Sequence, residues 1–315
     1  MKKNSESVVS AGLAGVVRPA NPDAVPDWPR QRIRHPLRGT PLAVRYRRIR
    51  RWLNASVHAA RYNARLAGTA PTLNFYPRRP PTKAQITRIL PLLGVRIGFN
   101  VDGEGSVIAW DGDTWFDQRH AARLPAGTIN GRCLDVSKST VGRAFADVAS
   151  YSLTVDPLTT AGPIVVKTEL NGMHDARLVE GPLSSLETGV VYQRFIDTHA
   201  GEFHSTVRVP VIGRRLPVVL IKWRRSVNRF SGPARAEPRP TAELYSADEM
   251  EIILRFAERI GMDYGELDVM RETSSGRIYV VDANRTPMRS PWLPDGLDGL
   301  IYPPMAEAFA ELLEL

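Results

Sequence analysis

The sequence contains a single cysteine, Cys133, and no apolar run long enough to cross a bilayer. One cysteine excludes an internal disulfide and is typical of a reducing compartment, so we expect a cytoplasmic protein. Residues 1–17 begin with two lysines but lack the apolar centre of a signal peptide. No base stands beside Cys133 in the sequence, which favours a core or loop cysteine over a nucleophile.

Acidic residues are missing between Asp27 and Asp102, a stretch that holds sixteen Lys and Arg residues. The chain carries a formal charge of +9, so the part after Asp102 has an acidic excess. A basic N-terminal part is thus joined to an acidic C-terminal part. An electrostatic match within the chain or between subunits explains this as well as an external polyanion does.

The basic part predicts an arm followed by a helix. Residues 1–40 are rich in Pro and Arg and show no hydrophobic period, which indicates an extended arm. Residues 42–66 predict a helix whose apolar stripe consists of Leu42, Tyr46, Ile49, Leu53, Val57 and Ala60. We interpret the stripe as a face that docks on the protein itself or on a second subunit, giving a homodimer. Nucleic acid or an anionic membrane is the weaker alternative, because no nucleic-acid-binding fold follows.

Short strands and helices alternate from residue 70 onward. The first of them predict a small α/β domain with strands at 72–76, 95–100 and 106–110 and a helix at 80–93. The later segments predict helices at 135–149, 246–261 and 303–315, strands at 162–168 and 190–196, a hairpin at 203–212 and 216–222, a loop at 171–181 and a mobile loop at 226–243.

Residues 264–287 predict a hairpin that carries a candidate metal site. Asp282 and Asn284 stand two apart, so on a strand they project to one face. Asp268 lies on the partner strand, and an antiparallel register about residues 273–275 brings it near Asp282. Two carboxylates and an amide suit Mg²⁺ with open positions for phosphate. The alternative is a surface hairpin whose acids are solvated.

Three polar residues occur in otherwise apolar strands or directly after them. Lys167 lies in an apolar strand before a glycine-containing loop, an arrangement that can bind phosphates. A lysine on the wet face of an edge strand is the alternative. Gln193 lies in a strand whose outgoing backbone could bind a purine, and Glu202 could bind ribose hydroxyls.

Taken in order, these features resemble the ATP-grasp superfamily over residues 70–315. Lys138 and Lys167 match its two lysines, and Gln193, Phe195 and Ile196 match its hinge strand. Glu202 matches its ribose-binding acid, and Asp268, Asp282 and Asn284 match its metal residues. The metal block is similar to that of D-alanine–D-alanine ligases and ribosomal-protein glutamylation ligases.

The resemblance implies an α+β fold in which a small α/β domain precedes two α+β subdomains that sandwich ATP. The implied boundaries are 1–69 for the basic extension, 70–130 for the preceding domain, 131–196 for the small subdomain and 197–315 for the C-terminal one.

The resemblance also implies an activity. A carboxylate substrate takes the γ-phosphate of ATP and becomes an acylphosphate, from which an amine then displaces phosphate. Two Mg²⁺ ions, or Mn²⁺ instead of Mg²⁺, would assist the phosphate transfer. Arg208 would hold the transferred phosphate, with Lys222 or Arg224 beside it. A kinase, a carboxylate–thiol ligase and a non-catalytic nucleotide-binding scaffold remain alternatives.

The substrate end departs from D-alanine ligases. Those enzymes have an arginine where this chain has Glu266, and a glycine where it has Met288. We therefore expect a different acid, free or peptide-bound, held by Arg285 or Arg289.

Overall fold

The computed structural model describes residues 41–66, 68–173, 175–226, 235–290, 293 and 296–315, with the backbone alone for 41–48 and 51. The predicted arm over residues 1–40 lies outside this range. Among the residues described, no helix combines the length and apolarity needed to span a membrane.

Three β-sheets follow one another along the described chain. The first is parallel with the order β2-β1-β3, made of β1 (Thr72–Pro77), β2 (Arg96–Gly98) and β3 (Ser106–Trp110). The second is antiparallel with the order β5-β4-β6, made of β4 (Gly162–Thr168), β5 (Arg177–Gly181) and β6 (Val190–Arg194). The third is antiparallel and six-stranded, made of β7 (His199–Ala200), β8 (Phe203–Ile212), β9 (Val219–Arg225), β10 (Arg235–Arg239), β11 (Tyr264–Arg271) and β12 (Ile278–Asn284).

The helices in the described residues pack on these sheets. They are α1 (Pro41–Asn63), α2 (Ile86–Leu93), α3 (Gln118–Ala121), α4 (Lys138–Ala149), α5 (Ala247–Arg259) and α6 (Asp298–Leu312). The mixture confirms the α+β class.

The first sheet realises the predicted βαβ unit, since β1 and β2 pair in parallel on either side of α2. Helix α2 ends where Gly94 adopts φ +63°, a conformation that glycine adopts without steric cost. Helix α6 shares a core with this unit through buried Ile301 and Phe309. The prediction that the last helix starts at Pro303 is wrong: it begins at Asp298, with an exposed first turn, and two prolines lie inside it.

Helix α1 packs through a different face from the predicted stripe. Ala55 and Ala59 are buried, and Tyr62 Oη lies 3.1 Å and 3.0 Å from the carbonyl oxygens of Leu90 and Val95. The small alanines allow a close approach to the sheet domain. The stripe itself is about half exposed at Ile49 (51%), Leu53 (49%) and Val57 (45%). The expectation that it docks on the described part of this chain is therefore wrong.

The second sheet contains a strand that the sequence did not reveal. Residues 171–181 were expected to form a loop, yet β5 pairs antiparallel with β4 from Gly162↔Gly181 to Val166↔Arg177. An edge strand has one neighbour and a mostly exposed surface, so its hydrophobic pattern is weak.

Because its strands alternate, the third sheet has one apolar face and an opposite face that is polar around Asp268 but apolar at Ile212, Leu220 and Tyr264. Val207, Val209, Leu267 and Val269 pack in one core with Phe256 of α5. The helix begins with the predicted capping box of residues 246 and 249. Strand β10 lies within the predicted mobile loop at 226–243, which corrects that expectation for residues 235–239; residues 227–234 lie outside the described range. The remaining residues of each strand form the opposite face.

Candidate functional site

The polar face of the third sheet carries the predicted metal residues. Strands β11 and β12 pair with Asp268 opposite Asp282 and Glu266 opposite Asn284, giving a square of four oxygen-bearing side chains. The predicted register is thus confirmed. Directly opposed residues have Cβ atoms about 5 Å apart, close enough for one cation to reach both carboxylates. The pairing shifts after Asp268, which ends the square on that side.

Two cations from β8 and β9 neutralise Asp268. Lys222 Nζ donates to Asp268 Oδ1 at 2.8 Å and Oδ2 at 2.9 Å, and only 3% of Lys222 is exposed. Arg208 Nε lies 3.3 Å from Asp268 Oδ1 and 2.5 Å from Glu266 Oε1. Burial alone would raise the pKa of Asp268, but Lys222 and Arg208 hold it well below its usual value. Asp268 therefore stays ionised.

Arg208 uses only its Nε atom in these contacts. Its two Nη groups have no partner in the described part of the chain, so they can form a bidentate contact with an anion. Burial alone would lower the pKa of Arg208, but Glu266 and Asp268 hold it above its usual value. The guanidinium is thus fixed at one edge and open at the other.

Lys138 reaches the same square from the start of α4. Ser137 caps that helix by accepting from Thr140 N, which fixes where the first turn points. The Lys138 side chain is buried, and its Nζ lies 2.5 Å from Asp282 Oδ1 and 3.4 Å from Asn171 Oδ1. Two of the three carboxylates of the square, Asp282 and Asp268, are therefore each matched by a lysine from a different element.

Lys167 lies on β4, within the second sheet, and has no ion-pair partner among the described residues. Burial lowers the pKa of its amine, and the charges with the largest effect on that pKa are those of Asp282, Lys138 and Asp268. It therefore faces the square without being neutralised. We call Lys138, Lys167, Arg208, Lys222, Asp268 and Asp282 the charged cluster.

The predicted hinge residues lie at the end of β6 and directly after it. Gln193 is buried, and its Nε2 has no hydrogen-bond partner among the described residues. Ile196 belongs to the core beneath the third sheet, and Phe195 is half buried. Glu202 is exposed, and its backbone carbonyl accepts from Ser226 N at 2.9 Å. An unpartnered buried amide at the hinge is a group that a ligand could satisfy.

Lys222 and Arg224 stand two apart on β9 and so share the polar face. Lys222 points to Asp268, whereas Arg224 Nη1 donates to Thr206 Oγ1 at 3.0 Å. The sequence could not separate the two residues; the structure places Lys222 in the charged cluster.

Arg285 does not face the site, which corrects its predicted role. Only 1% of it is exposed, and its three nitrogens donate to the carbonyl oxygens of Asp111 (2.8 Å), Cys133 (2.7 Å) and Asp113 (2.6 Å). A guanidinium whose donors all meet backbone carbonyls cannot bind a substrate carboxylate without leaving them. Arg289 remains half buried, with Nη2 3.7 Å from Asp298 Oδ2.

Two residues near the cluster, Glu169 and Asn171, were missed by sequence reasoning. Glu169 accepts from Ser139 N at 3.0 Å and from Ser139 Oγ. Asn171 N donates to Thr114 Oγ1 at 2.8 Å. The period-two spacing of Lys167, Glu169 and Asn171 was the available signal, although β4 ends at Thr168 and the chain turns through residues 169–171.

The donor chemistry of the square fits a hard divalent cation. Asp282 Oδ2 has no contact within the described residues, while Oδ1 takes both Lys138 and Ala283 N. Asn284 Oδ1 accepts from Thr286 N at 3.0 Å and, at 3.5 Å, from Thr286 Oγ1. No group of three or more His, Cys, Asp or Glu side chains suited to a metal occurs among the described residues. The candidate ligands are two carboxylates and an amide, with the remaining positions left to other oxygens.

Comparison with known proteins gives only remote structural similarity. No protein-family model matches the chain, and no curated protein matches it in sequence. A structure of the ATP-grasp ligase PsnB complexed with a minimal precursor is 19% identical, with 56% of this chain matching 60% of that one at a TM-score of 0.40. A RimK-domain ATP-grasp protein from Sphaerobacter thermophilus is 15% identical over 78% of this chain and 100% of its own, at 0.46.

D-alanine–D-alanine ligase from Bacillus anthracis complexed with ATP is 14% identical, over 78% of this chain and 97% of its own, at a TM-score of 0.46. Identities and scores this low carry no argument about activity. The fold follows from the order of the chain's own elements instead. A small parallel sheet precedes a lysine-bearing helix and antiparallel sheet, and a larger sheet then presents the paired carboxylates. The described elements therefore form an α+β fold in the order that the resemblance to the ATP-grasp superfamily implies.

Proposed function

We propose that the protein is an ATP-dependent ligase that activates a carboxylate as an acylphosphate and joins it to an amine. The observation that carries the proposal is the charged cluster: two opposed carboxylates are surrounded by four cations from four elements. A cation excess around a carboxylate pair suits a metal-bound polyphosphate, whose negative charge exceeds that of the metal.

Each side chain takes a role from its position. Asp268, Asp282 and Asn284 would hold Mg²⁺, which supplies charge neutralisation and orients phosphate oxygens when bound. Lys138 at the start of α4 and Lys167 on β4 of the second sheet contact the polyphosphate. Lys222 exchanges its Asp268 partner for the transferred phosphate, or keeps Asp268 oriented.

Arg208 is suited to hold the transferred group because its free Nη edge matches two phosphate oxygens. Positioning of this kind, with fixed charge in a poorly solvated site, is how phosphoryl transfer is accelerated. At the hinge, the unpartnered Gln193 amide and the exposed Glu202 carboxylate are the groups available for the base and the ribose.

The boundaries at residues 69, 130 and 196, a homodimer through α1 and a cytoplasmic location are part of the same proposal. The substrate is an acid other than D-alanine, since Glu266 and Met288 stand where D-alanine ligases have an arginine and a glycine. With Arg285 engaged elsewhere, Arg289 is the remaining candidate for the acid's carboxylate.

A kinase, a carboxylate–thiol ligase and a non-catalytic nucleotide-binding scaffold would use the same nucleotide site. The intact set of Asp268, Asp282 and Asn284 favours catalysis over a scaffold, because a site without chemistry has no need for all three.

A hydroxylamine assay separates a ligase that forms an acylphosphate from a kinase of alcohols and from a non-catalytic scaffold. The protein is incubated with ATP, Mg²⁺ and a panel of amino, dicarboxylic and peptide acids, and both ADP and hydroxamate are measured. A ligase that forms acylphosphates gives both products in equal amounts, whereas a kinase of alcohols gives ADP alone. If ATP with Mg²⁺ neither raises the melting temperature nor is turned over with any acid, the ligase proposal is wrong.

A further inference from the structure

A carboxylate of the chain itself occupies donors beside the charged cluster. Glu169 lies two residues after Lys167 and accepts from both the backbone N and the Oγ of Ser139. Ser139 is the second residue of α4, directly after Lys138. Backbone N–H groups in the first turn of a twelve-residue helix attract anions, and here that anion is the Glu169 carboxylate.

The segment that carries Glu169 is tied down on both sides. Asn171 N donates to Thr114 Oγ1 at 2.8 Å, and Asn171 Nδ2 donates to the carbonyl of Ala283 at 3.3 Å. Ala283 lies between Asp282 and Asn284 on β12, so the segment is held against the strand that carries the candidate metal ligands. These contacts place residues 169–171 over the charged cluster.

The negative charge of Glu169 would affect how a polyphosphate binds to Lys138 and Lys167. Lys138 is paired with Asp282, whereas Lys167 has no ion-pair partner in the described range. Glu169 comes two residues after Lys167 and hydrogen-bonds to Ser139, the residue that follows Lys138. A polyphosphate that binds these lysines brings negative charge to the place where the Glu169 carboxylate lies. Like charges at such distances repel, and one set of N–H donors cannot serve two anions.

We propose that Glu169 is an internal competitor of the nucleotide: its carboxylate occupies the anion-binding turn of α4 and must leave Ser139 before the polyphosphate binds. The residue thereby lowers nucleotide affinity and holds the segment 169–171 in place while the site is empty. This inference rests on the proposed function, because it assumes that a metal-bound polyphosphate is the ligand of the cluster.

The test is the affinity of the full chain for the non-hydrolysable analogue AMPPNP with Mg²⁺, measured by isothermal titration calorimetry. Glu169→Gln keeps the size of the side chain and removes its charge. We expect binding to tighten about tenfold, equivalent to about 1.4 kcal/mol. Glu169→Asp keeps the charge but is too short to reach both Ser139 donors, so its affinity should lie between those of the wild type and Glu169→Gln.

Glu180→Gln is the matched control. Glu180 is exposed on β5 of the same sheet and has no contact among the described residues, so the same change of charge should leave the affinity unchanged. If Glu180→Gln tightens binding as much as Glu169→Gln, the effect is one of net charge and the competitor role is refuted.

The outcomes separate the inference from the function beneath it. Wild-type protein that binds AMPPNP with Mg²⁺, together with unchanged or weakened binding by folded Glu169→Gln, refutes the competitor role and leaves the proposed function standing. Weakened binding would make Glu169 a ligand of the nucleotide or of its metal. Wild-type protein that does not bind at all refutes the proposed function itself.

Discussion

Replacing Arg285 by methionine tests whether this arginine is structural, as its contacts indicate, or binds substrate, as the sequence suggested. The residue follows β12 and ties it to three other points of the chain through the carbonyls of Asp111, Asp113 and Cys133. Methionine has a similar length but no donor, so the variant leaves two buried carbonyl groups and one partly buried one without their partner.

The cost follows from the energy of charged hydrogen bonds. Each contributes about 1.5–3 kcal/mol net, so three contribute roughly 4–9 kcal/mol. Methionine recovers part of this because it removes a buried charge that is costly to desolvate. We therefore expect Arg285→Met to lower the free energy of unfolding by about 4 kcal/mol, a large share of the roughly 5–15 kcal/mol of a typical domain.

The assay is thermal unfolding, followed by steady-state kinetics on whatever acid the hydroxylamine panel identifies. A loss of this size corresponds to a fall in melting temperature of roughly 8–16 °C for a chain of this class. Arg88→Met is the control, because Arg88 is exposed on α2 and its loss should change stability by less than about 0.5 kcal/mol. If Arg285→Met melts like the wild type and only the KM for the acid rises, the structural assignment is refuted.

Three further predictions follow from the charged cluster and from α1. Asp268→Asn should abolish turnover and destabilise the protein by about 3–5 kcal/mol, because Lys222 stays buried without its partner. Asp282→Asn should also abolish turnover, but with a smaller loss of stability. The pKa of Asp268 is depressed from its usual 3.8, so the stability that this carboxylate contributes is present above pH 4 and is lost as the pH falls further. The urea midpoint of Asp268→Asn should therefore fall less steeply with decreasing pH than that of the wild type. Parallel curves for the two proteins would contradict this. The double variant Leu53→Ser/Val57→Ser should leave the melting temperature unchanged, whereas Tyr62→Phe should lower it. Light scattering then shows whether the double variant dissociates a dimer. A monomeric wild type would refute a dimer through α1.

The carboxylate hairpin was predictable because its geometry is local. Strand period two places Asp282 and Asn284 on one face, and a short turn leaves little freedom in the register that brings Asp268 opposite Asp282. The capping box of α5 and the glycine end of α2 were predictable for the same reason. Each depends on residues within a few positions of one another.

Contacts between distant segments were not predictable in this way. Arg285 follows the metal strand in sequence and looks like a substrate ligand, yet its three partners lie more than 150 positions earlier in the chain. Glu169 carries no motif, and its effect comes from the approach of α4 to the loop after β4. The apolar stripe of α1 indicates a helix, but the small residues on its other face decide which side packs.

The sequence by itself determined the order of the elements except for strands β5 and β10, together with the paired carboxylates and the cations that could meet them. It could do so because alternation, capping and turns are set by neighbouring residues. Only the tertiary structure decided which cation meets which acid: Lys138 with Asp282, Lys222 and Arg208 with Asp268, and Arg285 with none. Those pairings depend on how helix α4 and the strands of the third sheet come together, and residues this far apart in the chain leave no periodic signal of it.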